Sequence, residues 1–307
     1  MLQGDTARPP IIICYAARVA RRLASRRPSI SIVGPGNLGT ALALTLSGAG
    51  YQIKSLVVRS GSARLRHSRA LASQLEAILL RLGRGPITGD IVWITVPDDA
   101  IGKVAHSLSQ SGDWKGRTVF HSSGALTSDE LGPLRDIGAR VASVHPMMTF
   151  VRGEVPGMTG VAFALEGDAA AVRAARAIVN RLGGKPFVIK KERKVLYHAF
   201  GSFASPLVIA LMATMERVAR EAGVPKQDIK RVMEPLLQQT LLNYLKRDAA
   251  SAFSGPLVRG DVATVRRHLA VLEKLPEVRE VYVALARAAA KALPIRNRHR
   301  IKGELAR

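Results

Sequence analysis

The stretch ISIVGPGNLGTALALTLSGAGYQIKSLVVRS, residues 30–60, runs from an apolar segment through a glycine-rich turn and an alanine- and leucine-rich segment to a second apolar segment. The short apolar runs bounded by turn residues read as buried strands, and the segment between them reads as a helix. Gly34, Gly36 and Gly39 form the pattern G-x-G-x-x-G where the first strand gives way to that helix. In this context the first glycine allows a tight turn, the second lets the backbone approach a pyrophosphate, and the third lets helix and strand pack closely. The helix N-terminus turns its unpaired N–H groups toward the phosphates. Gly34, Gly36, Asn37, Leu38 and Gly39 are therefore the expected cradle of a dinucleotide.

An acid about 20 residues beyond such a turn would bind the ribose 2′-hydroxyl of NAD. Arg59 stands there instead, followed by Ser60, Ser62 and Arg64. These groups suit a 2′-phosphate, so NADP(H) is the expected cofactor.

Outward from this stretch, apolar runs alternate with helical patterns at Ile30–Val33, Ser55–Val58, Ile91–Val96, Thr118–His121, Val141–His145, Val161–Leu165 and Phe187–Ile189. Such alternation implies an α/β fold with a doubly wound, mainly parallel sheet. After Lys190 the strands stop, and helical segments follow at Glu192–Ala222, Gln227–Arg247 and Val262–Leu293. The expected organisation is a basic extension (1–28), a dinucleotide-binding Rossmann domain (29–190), and an all-α domain with a basic tail (191–307).

The 307 residues are 47% hydrophobic, which suffices for two packed domains and excludes a disordered chain. Lys and Arg number 46 against 23 acids, for a formal charge of +23 that favours anionic partners. Nucleic acid is not expected, because aromatic residues make up only 5% and no basic-aromatic recognition motif is present. The single cysteine, Cys14, excludes an internal disulfide, and no Cys/His cluster has zinc spacing. The reading is thus a cytoplasmic protein without a metal. The apolar stretch Phe200–Met215 is shorter than the ~20 residues of a spanning helix, so no membrane association is expected.

The chemistry-bearing residues cluster at strand ends, where open α/β sheets bind ligands. Val96 and Pro97 end one strand beside the expected cofactor, and Asp98 and Asp99 read as caps of the next helix. His121, Ser122, Ser123 and Gly124 end another, and His145 a third. The two serines and the backbone N–H groups behind them read as a carboxylate cradle, and either histidine could orient or protonate an oxygen. In KVLYHAFG, Lys194, His198 and Gly201 share a helical face, with Tyr197 beside them. Arg259, Asp261 and His268 read as loop caps and a helix start at least as readily as substrate ligands.

Taken together, GPGNLG, VPDD, HSSGAL, HPMMTF, FALEGD, YHAFGSFAS and GPLVRGD resemble Rossmann-like proteins whose helical C-terminal part is a domain of unknown function, the 2520 family, over about residues 29 to 290. More distantly the chain resembles the 6-phosphogluconate dehydrogenase-like superfamily. That group includes β-hydroxyacid dehydrogenases, pyrroline-5-carboxylate reductase, prephenate dehydrogenase and ketopantoate reductase. The resemblance implies a dimer through the helical domains. Where β-hydroxyacid dehydrogenases carry Lys-x-x-x-Asn, with lysine handling the proton on the substrate oxygen, this chain has Lys194-x-x-x-His198. The segment around His145 resembles the prephenate dehydrogenase segment that carries a catalytic histidine.

The resulting expectation is an NADP-dependent oxidoreductase moving hydride between nicotinamide and a small oxo acid, with 2-dehydropantoate (ketopantoate) as first substrate. Prephenate dehydrogenase-like and pyrroline-5-carboxylate reductase-like activities are the alternatives, and a catalytically silent NADP sensor or scaffold is the alternative of another class. Lys194 is the expected proton donor, with His198 orienting, His145 as the next candidate, and His121, Ser122, Ser123 and Gly124 holding the carboxylate.

Overall fold

The computed structural model describes residues 27–61 and 64–306. Residues 1–26 of the basic extension, with Cys14, and Ser62 beside Arg59 lie outside the described residues.

The first strands and helices follow the sequence pattern: β1 (Ile30–Val33), α1 (Asn37–Gly48), β2 (Ile53–Val58), α2 (Leu65–Gln74), β3 (Ile78–Arg81), β4 (Ile91–Ile94), α3 (Asp98–Ser109) and β5 (Thr118–His121). A 3-10 turn (Ser128–Leu131), short α4 (Gly132–Arg135), β6 (Arg140–Pro146), β7 (Ala162–Gly167), α5 (Ala169–Arg181) and β8 (Lys185–Val188) complete the sheet region. The eight strands lie in the order β3-β2-β1-β4-β5-β6-β7-β8. All pairs are parallel except β6 with β7. The carboxyl ends of β1, β2, β4, β5 and β6 therefore share one edge, which gathers Gly34, Arg59, Thr95, Ser122 and Met147.

Strands β1, β4 and β5 are buried at every position, as central parallel strands covered on both faces must be. One core joins the sheet to α1, α2 and α5 through Leu42, Leu46, Leu71, Ile178 and Val179. The other joins it to α3 and α4 through Ile101, Ala105, Leu131 and Leu134. Strand β3 is absent from the expectation: ILLR is a half-exposed edge strand, and its apolar residues continue the helical pattern of α2.

The unit boundary falls between Gly201 and Ser202, later than the expected 190, because the first turns of α6 (Lys194–Ala204) belong with the sheet. The second unit contains α7 (Pro206–Glu221), α8 (Ile229–Lys246), short α9 (Ala249–Ala252) and α10 (Pro256–Arg259), α11 (Val262–Leu272), α12 (Pro276–Ala292) and α13 (Arg298–Glu304). Its core centres on Val265, Leu269, Val283, Ala286 and Ile301. Asp261 caps α11 by accepting a 3.0 Å bond from the Thr264 N–H, a structural role the sequence allowed.

Two helices expected to be continuous are divided, and proline stands in the first turn of each second half. Pro206 opens α7 and Pro276 opens α12, because proline fits a helix start but interrupts an interior. Among the described residues the helical stretch Lys191–Glu221 nevertheless has the length, and within it an 18-residue window of mean hydropathy 1.6, to cross a membrane by length and composition alone. The apolar stretch of the expectation is its central part, bounded by Lys191, Glu192, Arg193 and Lys194 on one side and Glu216 and Arg217 on the other. Ser205, at φ −134° and ψ −82°, separates its two helices.

Candidate functional site

The glycine turn has three distinct local reasons for its three glycines. Gly34 has φ +87°, and a Cβ there would lie 2.6 Å from Val96 Cγ1. At Gly39 a Cβ would lie 2.5 Å from Thr95 Oγ1 and 2.6 Å from the Gly34 carbonyl oxygen, so only glycine lets α1 seat against β4. At Gly36 the nearest atom is Arg64 Nη1 at 3.9 Å, and the turn is open on that side. No side chain caps the start of α1, so its first N–H groups remain suited to an anion.

The side chains of Asn37 and Leu38 serve the protein itself. Asn37 Nδ2 donates to the Phe150 carbonyl at 2.9 Å, its Oδ1 accepts from Arg64 Nη1 at 2.9 Å, and Leu38 packs on the core. What these two residues offer a phosphate is backbone. Arg59 and Ser60 stand exposed directly after β2, and Pro97 is exposed beyond Val96 at the end of β4. A cavity of about 370 Å³ opens next to the turn, with Asn37, Thr40 and Arg64 on one side and Arg152 and Glu154 on the other.

The β5 end departs from expectation. Ser122 Oγ accepts a 2.8 Å bond from the buried Trp93 indole N–H. Ser123 Oγ donates to Asp98 Oδ2 at 2.7 Å and accepts from the N–H groups of Leu126 and Ala125. Both hydroxyls hold the turn together, and the expected carboxylate cradle of serine side chains is not formed. Asp98 is likewise no cap: it is the first residue of α3, and its carboxylate anchors Ser123.

His121 is fully buried and satisfied. Its Nδ1 accepts from the Ser123 N–H at 3.1 Å, which leaves Nε2 protonated to donate to the Thr127 carbonyl at 3.0 Å. Burial, reinforced by the Lys194 charge, depresses its pKa to about 3. It braces the β5 turn, and the substrate role expected of it is corrected.

Lys194, the expected proton donor, is enclosed and already engaged by protein oxygens. Its side chain is 1% exposed and points into the protein. Nζ donates to Ser143 Oγ at 2.5 Å and to the Ser123 carbonyl at 3.1 Å, with Glu166 Oε1 at 3.8 Å. Burial lowers its pKa to about 8, against the opposing pull of Glu166 and Asp98.

The groups that do converge are His145, Tyr197, His198 and Gly124. His145 Nδ1 and the Tyr197 hydroxyl lie 3.1 Å apart, and the rings meet edge to face. The His198 ring stands across from His145 at a centroid distance of 6.1 Å. A Cβ on Gly124 would lie 2.6 Å from His198 Cδ2 and 2.8 Å from His145 Nε2, so the glycine makes room for both imidazoles. Burial first, then the Lys194 and His198 charges, lowers the His145 pKa to about 4, and burial raises Tyr197 to about 12. At neutral pH the pair is a neutral imidazole bonded to an intact phenol.

Glu166 is the residue sequence reasoning left out, and Tyr197 was placed beside the helical face without a role. Tyr197 was adjacent to two chosen residues, and its O–H was the available signal. Glu166, a lone acid in the apolar strand FALEGD, is buried and accepts from the N–H and hydroxyl of Ser128 at 2.6 and 2.9 Å. Among the described residues no cluster of His, Cys, Asp and Glu could hold a metal ion.

Comparisons with known proteins fit this division. Protein TM1727 from Thermotoga maritima is 25% identical, covering 90% of this chain and 99% of its own, with a TM-score of 0.66. A candidate NADP oxidoreductase from Bacteroides fragilis is 20% identical, covering 86% and 98%, with a TM-score of 0.72. An imine reductase from Myxococcus stipitatus, solved with NADP+, is 20% identical, covering 86% and 95%, with a TM-score of 0.62. No curated protein sequence matches. Residues 16–146 match the Rossmann-like domain model, and residues 161–289 match the domain of unknown function DUF2520. The chain is a Rossmann-like domain followed by a DUF2520 domain.

Proposed function

We propose that this chain is an NADP(H)-dependent oxidoreductase that reduces a C=O or C=N bond of a small molecule, with small oxo acids, ketopantoate among them, as the first substrate class. The observation that carries this reading is the placement of the glycine turn and the His145–Tyr197–His198 cluster on the same carboxyl edge of the sheet. Backbone at Gly34, Gly36, Asn37, Leu38 and Gly39 would hold the pyrophosphate, Arg59 and Ser60 the 2′-phosphate, and Val96 and Pro97 would flank the cofactor. The bound cofactor supplies the hydride. The protein holds the substrate beside the Tyr197 hydroxyl and His198 and provides the proton from Tyr197 Oη. His145 Nδ1–H donates to that oxygen; as the phenolate takes this proton, His145 Nε2 takes one from solvent, so the imidazole stays neutral and the phenol is restored. Cyclic imines form the second substrate class, favoured by the fold likeness to an imine reductase and to the pyrroline-5-carboxylate reductase of Coxiella burnetii.

The test is titration with NADPH and NADH, followed by oxo acids and cyclic imines offered with NADPH and prephenate offered with NADP. NADPH binds more tightly, and Arg59→Ala removes about 10- to 150-fold of its affinity while leaving NADH unchanged, as expected for charge-assisted bonds of about 1.5–3 kcal/mol. Turnover of an oxo acid supports the first class. NADPH binding with no turnover across the panel would favour a sensor.

The same reading includes a homodimer in the cytoplasm. Leu207 and Ile209 on α7 and Leu236, Leu241 and Leu245 on α8 are exposed, an apolar surface too extensive for a monomer. A second copy of these helices is its proposed cover, rather than lipid. Light scattering without detergent then gives twice the 33.0 kDa of one chain. A monomer that binds vesicles would reverse that choice.

A further inference from the structure

The buried Lys194 sits among groups from four other elements. Ser143 lies on β6 and Glu166 opposite it on β7, the Ser123 carbonyl follows β5, and Asp98 on α3 holds the Ser123 hydroxyl. Ser143 Oγ itself donates to the Ser123 carbonyl at 3.1 Å, closing a triangle with the ammonium. Each corner of that triangle is next to the reacting groups. Ser123 precedes Gly124, the residue wedged between two imidazoles, and Ser143 stands two residues before His145 on the same face of β6.

We propose that Lys194, paired with Glu166, is a positioning residue: its ammonium ties the end of β5 to β6 and so holds the His145 ring against Gly124 and in reach of the Tyr197 hydroxyl. This rests on the reading of His145 and Tyr197 as the proton-delivering pair. An ammonium that donates to two oxygens and faces a carboxylate inside the protein has no path to a substrate without breaking the triangle. Its charge also bears on that pair. The titratable groups facing it are Glu166, Asp98, His121 and His145, with Tyr197 and His198 further along its own helix. Lys194 disfavours protonation of His145, and it does so only while it stays charged.

The test uses the full-length protein and three variants. Lys194→Met alone strands the Glu166 carboxylate and is prone to misfold. The informative variants are therefore Lys194→Met/Glu166→Gln, which removes both charges, and Ser143→Ala, which removes one tie and no charge. The His145 ring is titrated by NMR without substrate, so the result does not depend on the proposed activity. In the double variant its pKa rises toward the ordinary histidine value by the Lys194 share of the shift, while the larger share due to burial remains. In Ser143→Ala the pKa moves little. With a substrate in hand, the double variant raises KM and moves the acid limb of the kcat profile upward, while single-turnover hydride transfer at its new optimum stays within about tenfold of the parent. A His145 pKa unmoved in the folded double variant would overturn the electrostatic part. A loss of about 10²–10⁴ in single-turnover rate at every pH would restore Lys194 as the donor. Absence of any substrate would strike the proposed activity and leave the titration standing.

Discussion

Tyr197→Phe lowers kcat by about 10²–10⁴ while leaving NADPH affinity unchanged, the loss expected when a positioned general acid is removed. The proposal of the phenol as proton source rests on geometry and electrostatics. The phenol is half-buried, it lies 3.1 Å from His145 Nδ1, and burial holds its pKa at about 12, so the O–H is intact throughout the neutral range. As hydride reaches a carbonyl carbon, the oxygen becomes an alkoxide whose basicity exceeds that of a phenolate, and transfer from Tyr197 is downhill. Phenylalanine keeps the edge-to-face packing with Phe187 and His145 and deletes only the oxygen. His145→Ala leaves the phenol but removes its resupply, and its smaller loss deepens as pH rises. Single-turnover measurements with NADPH separate the two. A Tyr197→Phe rate within threefold of the parent would transfer the role to His198.

The folded protein loses on the order of 5 kcal/mol of stability through His121 alone when the pH falls from above 6.5 to about 3. A histidine whose pKa is depressed in the folded state binds its proton preferentially in the unfolded chain. The stability it confers is complete above the ordinary value of 6.5 and drains away as pH drops toward the folded value of about 3. His145, lowered to about 4, adds to the loss in the same direction. Total stabilities run at about 5–15 kcal/mol, so unfolding near pH 4 is expected. Urea midpoints between pH 7.5 and 4.5 check this, because most carboxylates remain ionised there. His121→Gln is less stable at pH 7.5 and shows a flatter dependence. Equal slopes for the two proteins would mean that the imidazole is not the titrating group.

The glycine turn was readable because its causes are local: a strand, a turn needing positive φ at Gly34, and a helix start follow one another within ten residues. Arg59 was readable for the same reason, as the residue ending β2. The donor set was only half readable. His121 and His145 both end strands and are indistinguishable in sequence, yet one is buried under a 3-10 turn and the other borders α6. Helical spacing put Lys194 and His198 on one face, but depth along that face is tertiary information. The face starts in the protein interior and reaches solvent one turn later, so the lysine is enclosed and Tyr197 and His198 are accessible. Ser122 and Ser123 failed for a related reason, since their partners Trp93 and Asp98 come from β4 and α3. Strand β3 was hidden by its weak burial.

The antiparallel pairing of β7 with β6 has an evolutionary consequence. Along β7, Phe163 and Leu165 enter the apolar core while Ala164 and Glu166 stand opposite His145 and Ser143. A one-residue insertion or deletion inside this strand would exchange the two sets, sending the carboxylate into the core and leaving the lysine without its counter-ion. The loop of residues 147–161 can change length and absorb the difference, whereas β7 can drift only by substitution. Length variation among descendants of this chain should therefore accumulate before Ala162 and stop there.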